Sequence, residues 1–374
     1  MDLGLTQEQE ILRRSARGFL EAECPTGLVR DMESSENDVP EELWGKMASL
    51  GWMGIINRNQ YGGNEGSYTD LAVLLEEMGR FLVPGPFFNS VVETAPLLNS
   101  LASNEIKSQY IPQISSGSTI GTCAFQESDF RYFPEAVKSR LRLSKNGYLL
   151  NGTKLFVEHA RAADLFVTIA THEDSNEMSM LLLSSSIPGI AIKTMESLSG
   201  EPLYEVSFDN VEIHESAILG EKGRGWEYIR QYLDISTIMS CARSVGGTQA
   251  VIERTVEYVK GRVQFGRPIG SFQSVQHDCA DMVNKVDAAR LATFQAIAKL
   301  EDGEDASREI SLARMLTDHA YKWTTLTSQQ LHGGVAFMKE YDLQLWTRRA
   351  RVAEFKFELA SIHRERYSKE MGLK

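Results

Sequence analysis

Long apolar runs are absent from this sequence, and none approaches the roughly 20 residues of a membrane-spanning helix. Cysteine is scarce, because the 374 residues include four that are widely scattered without a C-x-x-C pair, which argues against a zinc site and a disulfide framework. The seven histidines also have no close partner at metal-ligand spacing. Basic residues number 39 against 51 acidic ones, and the formal charge of -12 argues against non-specific nucleic-acid binding.

Residues 1–20 also lack the pattern of a secretory signal. Acidic and polar side chains stand where such a signal has a basic end followed by an apolar run. We therefore expect a cytoplasmic protein without a membrane span. The length of the chain is enough for two or three packed units around a large core.

Hydrophobic periodicity divides the chain into three parts. Apolar residues recur at helical spacing from Leu5 to about residue 116, and Thr6 is a plausible N-cap for the first helix. Apolar and polar residues then alternate, and Asn146-Gly147 indicates a β-hairpin. Helical spacing returns in four predicted helices, at 226–261, 272–301, 305–331 and 341–368. This order predicts an α+β fold with domains at 1–116, 117–219 and 220–374.

The most informative stretch is residues 257–282, where two predicted helices are separated by a short basic turn. Glycines and a proline in Gly266–Gly270 interrupt the helical pattern, because proline lacks a backbone donor and glycine permits a tight turn. The turn carries Arg262 and Arg267, and Gln273 follows one step into the next helix. Two guanidinium groups and a side-chain amide placed together are suited to bind a phosphate or a ribose.

This stretch resembles the second signature of the acyl-CoA dehydrogenase family, R-x-x-F-G-x-x-I-x-x-x-Q followed by A-D-M. The matching positions are Arg262, Phe265, Gly266, Ile269, Gln273, Ala280, Asp281 and Met282. In the family these residues reach the adenosine diphosphate half of an FAD bound in the neighbouring subunit. The resemblance therefore assigns Arg262, Phe265 and Gln273 to cofactor binding, against the simpler interpretation of a surface hairpin with a basic turn.

The α, β, α order matches the same family, so the resemblance covers essentially the whole chain. It implies an N-terminal helical domain, a β-barrel-like middle sheet domain and a C-terminal four-helix bundle. It also implies FAD as the cofactor and oligomerisation through the last domain, because the residues assigned above serve a cofactor held across an interface.

A second stretch, Gln330–Phe337, is similar to the family's Q-x-x-G-G-x-G-F/Y, which lies beside the same FAD diphosphate. Gln330, Gly333 and Gly334 match and are assigned to cofactor binding, whereas Ala336 replaces the usual third glycine. Adjacent glycines after a helix let a ligand approach the backbone closely. The alternative is a glycine-capped helix end.

Two further stretches resemble the family's flavin side less closely. Residues 124–129 look like T-E-P-x-x-G-S-D without its proline and glycine, and Gln126 is the candidate cofactor-binding residue of this stretch. Residues 154–160 look like K-x-W/F-I-T-N-A and contribute Phe156 and Glu158. The resemblance assigns Gln126, Phe156 and Glu158 to cofactor binding. Glu158 is an unusual residue for this role, because it replaces the threonine or serine that usually hydrogen-bonds the flavin.

The catalytic base of the family is missing from both of its usual positions. The reaction needs a carboxylate held against the α-carbon in a water-poor site. Counting from the R-x-A-R-V helix places Phe357 at the usual base position, with Glu358 next to it, and the position used by another branch of the family is Ser236. Asp234 and Glu93 are therefore the candidate replacements, ranked ahead of Glu358, and a chain without a base is the other alternative.

Two functions follow from the resemblance. In the first, the chain is an FAD-dependent acyl-CoA dehydrogenase that introduces an α,β double bond into a CoA thioester and passes electrons to an electron-transfer flavoprotein. In the second, it is a non-catalytic subunit that completes the FAD site of a related partner in a homo- or hetero-oligomer. Decarboxylation or oxygen-dependent chemistry on the flavin is a third possibility, and the acyl group is open.

Overall fold

The computed structural model describes residues 4–129 and 132–373. Their contacts define two compact units that interleave along the chain. The first unit, called the helical unit below, contains residues up to Val29, Ser67–Val83 and those from Thr237 onward. The second, called the sheet unit, contains Arg30–Gly66 and Pro84–Ser236. The predicted domain boundaries at 116/117 and 219/220 stay a prediction.

The secondary structure follows the predicted helix, sheet, helix order. The helices are α1 (Gln7–Glu23), α2 (Thr26–Ser34), α3 (Glu41–Ser49), α4 (Tyr68–Phe81), α5 (Ala95–Leu101), α6 (Asn104–Ser115), α7 (Gly225–Gly261), α8 (Gln273–Glu301), α9 (Ser307–His332), α10 (Leu343–Ala353) and α11 (Ala360–Glu370). The strands are β1 (Gly121–Ala124), β2 (Arg140–Ser144), β3 (Gly147–Glu158), β4 (Leu165–His172), β5 (Met178–Ser184), β6 (Ile190–Met195), β7 (Leu203–Ile213), β8 (Ile218–Leu219), β9 (Val263–Gln264) and β10 (Arg267–Pro268).

The helical unit begins with the predicted cap. The Thr6 hydroxyl accepts a hydrogen bond from the backbone of Gln9, and the Gln9 side chain accepts one from the backbone of Thr6, which is a complete capping box. On α4, the buried carboxylate of Glu77 accepts two hydrogen bonds from Arg17 of α1, at 2.7 and 2.9 Å. This pair fixes α1 against α4.

Helices α4 and α7 cross at close range because glycine stands at the contact. A Cβ atom on Gly79 would lie 1.8 Å from the carbonyl oxygen of Arg243, and one on Gly246 would lie 1.7 Å from that of Glu76. No side chain fits at either position, so the backbones themselves are in contact.

The sheet unit has strand order β6-β7-β3-β2-β4-β5-β8, and β1 pairs in parallel with β4. All eight residues of β4 are buried, which is typical of a strand covered on both faces. The predicted hairpin between β2 and β3 is confirmed, but its two-residue loop is Lys145-Asn146, because Gly147 already pairs with Ser144. Gly147 stands at a φ of 132°, where its missing side chain lets the backbone approach Ile213.

A buried ion pair lies inside the sheet unit. The ammonium group of Lys154, which is 0% exposed, donates to Glu127 and to the carbonyl oxygen of Ile169, both at 2.7 Å. Glu127 also accepts hydrogen bonds from the backbones of Lys138 and Ser139 and from the Ser139 hydroxyl. The pair is therefore well satisfied by hydrogen bonds.

The predicted helix over 341–368 is wrong, because the chain forms α10 and α11 with a break between them. The buried Arg314 of α9 donates to the carbonyl oxygens of Ala353 and Lys356, at 2.6 and 2.9 Å, in place of helical N–H donors. Phe357 follows at a φ of +62°, a left-handed conformation that ends a helix. A long-range contact thus overrides the local helical pattern.

The carboxyl of Asp318 makes the stability of the helical unit depend on pH. It lies 3.2 Å from the Arg314 guanidinium, yet burial raises its pKa to about 6 from 3.8. Because the folded-state pKa is raised, its contribution to stability is complete below the unfolded-state value and is lost as the pH rises through about 6. We expect the unfolding free energy, relative to Asp318→Asn, to fall by roughly 1–3 kcal/mol from about pH 4 to about pH 7 in chemical denaturation. The exposed control Asp302→Asn should keep the wild-type pH dependence, and an Asp318→Asn variant that also keeps it would contradict the prediction.

Candidate active site

The two motifs assigned to the nucleotide lie at the same end of the helical unit. Tyr258, in the last turn of α7, donates its hydroxyl to the carbonyl oxygen of His332 at 3.1 Å, and the two rings stack with centroids 4.1 Å apart. Leu331 packs against the cluster that contains Met282 of α8. The basic turn after α7 and the glycine loop after α9 are therefore neighbours, although they are some 70 residues apart in sequence.

The basic turn is a tight ribbon that presents its polar residues to the outside. Strands β9 and β10 pair across Phe265 and Gly266, and Phe265 stands at a φ of +52° with 92% of its surface exposed. Arg262 and Gln273 are exposed beside it. Arg267 lies over the ring of Phe272, 4.2 Å from its centroid. The predicted cofactor residues Arg262, Phe265 and Gln273 are thus brought together on one surface.

The glycine loop leaves open space next to its backbone. Gly333 has a φ of +68°, and no heavy atom lies within 4 Å of where a Cβ would stand on Gly333 or Gly334. Such a cradle suits a diphosphate held by backbone groups. Gln330 is exposed just before this loop. Ala336, which stands where the family's motif has its third glycine, is 0% exposed. The replacement of the third glycine is therefore accommodated by packing, and the residues present fit the nucleotide half of FAD.

A buried polar cluster lies in the other unit, around Glu93. The Glu93 side chain is 5% exposed, and it accepts hydrogen bonds at 2.9 Å from the hydroxyl of Tyr232 on α7 and from the amide of Asn89. The Tyr232 ring makes an edge contact with Phe125, with centroids 4.8 Å apart. Burial raises the pKa of Tyr232 well above its usual value, and the charge of Glu93 adds to this, so the phenol stays a donor.

The backbone under Glu93 is a π-helix, Phe88–Thr94, rather than the α-helix expected for this segment. All seven of its residues are buried. π-Helical turns are rare and occur frequently at functional sites. This conformation places Asn89 and Glu93 where the amide of one reaches the carboxylate of the other.

The residues predicted for the flavin side lie next to this cluster. The Asn89 amide also donates to the Glu158 carboxylate at 3.3 Å, and the Thr122 hydroxyl donates to the Glu158 carbonyl oxygen at 2.8 Å. The carbonyl oxygen of Gln126 accepts a hydrogen bond from Leu155, the neighbour of Phe156. Phe156 stands at a φ of +58° and is 38% exposed. The structure therefore brings Gln126, Phe156 and Glu158 together.

The second candidate base, Asp234, occupies a different face of α7. Residues four apart lie on one side of a helix, so Tyr232 and Ser236 share a face, whereas two residues correspond to a rotation of roughly 200°. Glu93 contacts Tyr232 and is therefore on the face of Ser236, the position at which the resemblance places the base of another branch of the family. Asp234 is half-buried on the opposite side.

Phe357, at the position where the family resemblance predicts the usual base, and Glu358 next to it are both buried. Glu358 is 5% exposed and forms an ion pair with Arg366 of α11, while Phe357 is buried. Sequence reasoning missed Asn89 and Tyr232. A four-residue spacing was the available signal, because Asn89 precedes Glu93 by four residues and Tyr232 precedes Ser236 by four.

Family models and known relatives match most of the chain. Family models match the chain over residues 6–118 (acyl-CoA dehydrogenase, N-terminal domain), 123–211 (middle domain) and 223–357 (C-terminal domain). An acyl-CoA dehydrogenase of Bacillus subtilis (strain 168) is 31% identical over 94% of this chain and 94% of its own length. The acryloyl-CoA reductase (NADH) of Anaerotignum propionicum is 30% identical over 97% of this chain and 94% of its own. The FAD complex of PigA superposes with a TM-score of 0.92 at 25% identity, over 100% of both chains.

The fold and the motifs define a flavoprotein oxidoreductase. The chain belongs to the acyl-CoA dehydrogenase family, whose members are FAD-dependent enzymes that act on the CH–CH group of CoA thioesters. The predicted fold class, enzyme class and cofactor are thereby confirmed. Across residues 4–129 and 132–373, no helix combines the length and the apolarity that crossing a membrane requires.

Proposed function

We propose that the protein is a cytoplasmic acyl-CoA dehydrogenase in which Glu93 is the catalytic base and an electron-transfer flavoprotein takes up the electrons. The observation that carries the proposal is the buried carboxylate of Glu93, held by Tyr232 and Asn89 on the face of α7 that contains Ser236. Asp234 ranks second, because it lies on the opposite side of the helix. The cofactor residues would be Arg262, Phe265, Gln273, Gln330, Gly333, Gly334, Gln126, Phe156 and Glu158.

The reaction removes a proton and a hydride from neighbouring carbons. A Glu93 oxygen would take the proton from the α-carbon of the thioester, and the electron pair of the broken C–H bond forms the double bond as the hydride leaves the β-carbon. Bound FAD supplies the hydride acceptor. Each Glu93 oxygen accepts a hydrogen bond from the protein, and a carboxylate oxygen has a second lone pair that can take the substrate proton. Tyr232 and Asn89 keep the carboxylate in place while burial excludes water.

The direction of the reaction is the first point to test, because the relatives above include a dehydrogenase and a reductase. We expect the purified chain to contain about one FAD per subunit and to lose its visible flavin absorbance when a saturated acyl-CoA is added without oxygen. A panel of straight, branched and cyclic acyl groups would identify the substrate. If only the photoreduced protein responds, by regaining colour with an enoyl-CoA, then the protein is a reductase.

A second candidate function, that of a subunit completing a partner's FAD site, is favoured by the exposed apolar residues at the nucleotide end. Phe265, Phe337 and Met338 are 92%, 74% and 53% exposed in the single chain, and such side chains usually meet another surface. A homo-oligomer and a hetero-oligomer with a related subunit both fit this observation. Protein that contains no FAD when expressed alone, and gains it with a partner chain, would establish the second function and contradict the first.

A further inference from the structure

A cavity that is lined by none of the candidate site residues lies in the unit that contains the sheet. Its volume is about 590 Å³, within the usual range for small-molecule sites. One wall is the segment from the end of α2 to Asp38, and the other is formed by the ends of β6 and β7, with Arg161 at the side.

The lining of this cavity is strongly acidic. Four carboxylates stand against the one guanidinium of Arg161 among its lining residues, namely Glu33, Glu36, Asp38 and Glu201. Arg161 is held by two hydrogen bonds, to the carbonyl oxygen of Glu36 at 3.0 Å and to the Thr194 hydroxyl at 2.9 Å. The charge of the cavity therefore favours a cation.

Asp38 supplies an independent indication of a ligand. Its side chain is 4% exposed, and its Oδ1 atom accepts a hydrogen bond from the Tyr204 hydroxyl at 2.6 Å. Its Oδ2 atom has no hydrogen-bond donor in residues 4–129 and 132–373. A buried carboxylate oxygen without a donor is costly, and a charged N–H group is the donor that stabilises it most.

The nature of the cation follows from the other lining residues. The part of the chain that the structure describes contains no group of three histidine, cysteine, aspartate or glutamate residues that could hold a metal ion. The cavity instead combines its carboxylates with Met32, Met195 and the ring of Tyr204. Arg161 already places its guanidinium 5.4 Å from the centre of that ring, so a cation is stable there.

We propose that this cavity binds an aliphatic polyamine, with Asp38 accepting a hydrogen bond from one ammonium group. The methylene chain would pack against the two methionines, and the remaining ammonium groups would meet the glutamates at the rim. Arg161 competes with the ligand for the same charge. This site does not depend on the proposed reaction.

The test is isothermal titration of the full-length, flavin-loaded protein with spermidine at constant ionic strength. Wild type should bind one spermidine per chain, and Asp38→Asn should weaken binding at least about tenfold. Glu212→Gln, on β7 but exposed and outside the cavity, removes the same charge and should change affinity less than about twofold. Arg161→Gln should tighten binding, an effect that misfolding does not produce.

Three outcomes that differ from these expectations would overturn the proposal. Wild type that does not bind spermidine would show that the cavity is not a polyamine site. Equal losses of affinity in Asp38→Asn and Glu212→Gln would show that only the overall acidity of the protein is involved. Weaker binding in Arg161→Gln would show that the guanidinium supports the ligand rather than competing with it. Should Asp38→Asn fail to fold, the tighter binding expected of Arg161→Gln, compared with the nearly unchanged binding expected of Glu212→Gln, still decides.

Discussion

Replacing Glu93 by glutamine is expected to slow acyl-CoA-dependent flavin bleaching by roughly 10²- to 10⁴-fold, the usual contribution of a general base. Glutamine keeps the size of the side chain, and its single carbonyl oxygen can accept a hydrogen bond from Tyr232 or from Asn89, but its amide cannot take the substrate proton. FAD content should be unchanged, because the loss concerns the chemical step. Stopped-flow measurement of flavin absorbance under anaerobic conditions gives this rate directly.

The matched control is Asp234→Asn, which removes a carboxylate from the same region on the other side of α7. It should retain the bleaching rate within about tenfold, since its side chain does not share the face of Tyr232 and Ser236. A bleaching rate that is normal in Glu93→Gln and lost in Asp234→Asn would assign the base to Asp234. Normal rates in both variants would exclude both assignments.

The sequence could propose residues for the nucleotide half of the candidate site because many specified residues are concentrated in two short stretches. Arg262, Phe265 and Gln273 lie within one turn and the residue after it, so local sequence alone places them together. Gly333 and Gly334 likewise need no distant contact to open their loop, since the positive φ of Gly333 and the missing side chains are local properties.

The common location of the basic turn and the glycine loop could not be predicted from the sequence. It depends on the contact of Tyr258 with His332, which joins distant segments.

The sequence ranks Asp234 and Glu93 ahead of Glu358 as candidate bases, but it does not choose between them or exclude a chain without a base. The sequence shows the helical spacing that puts Tyr232 and Ser236 on one face. Glu93 is far from both in the chain, however, and only the fold brings it to Tyr232. The π-helix under Glu93 also has no local pattern that separates it from an α-helix. The break before α11 was missed for a related reason, because Arg314 binds the carbonyl oxygens of that segment from another helix.

The second large effect concerns stability and the buried pair of Lys154 and Glu127. Lys154→Met is expected to lower the free energy of unfolding by about 3–5 kcal/mol, because it leaves the Glu127 carboxylate buried without a cation. Burial lowers the pKa of Lys154, and the neighbouring charge of Glu127 opposes that shift. Removing the lysine therefore takes away the group that compensates the carboxylate. Chemical denaturation of the apoprotein, followed by circular dichroism, measures the loss.

The double variant Lys154→Met/Glu127→Gln separates a lost attraction from an uncompensated charge. The amide that replaces the Glu127 carboxylate would keep its oxygen for the backbone and hydroxyl donors of Ser139 and would lose the hydrogen bond from the backbone of Lys138, and it carries no charge to be solvated. If the cost of Lys154→Met is mainly the unpaired carboxylate, the double variant should recover more than half of the lost stability. A double variant as unstable as Lys154→Met would show instead that packing of the lysine stem and its bond to Ile169 dominate. The pair would then stabilise the sheet through shape and backbone contact rather than through charge.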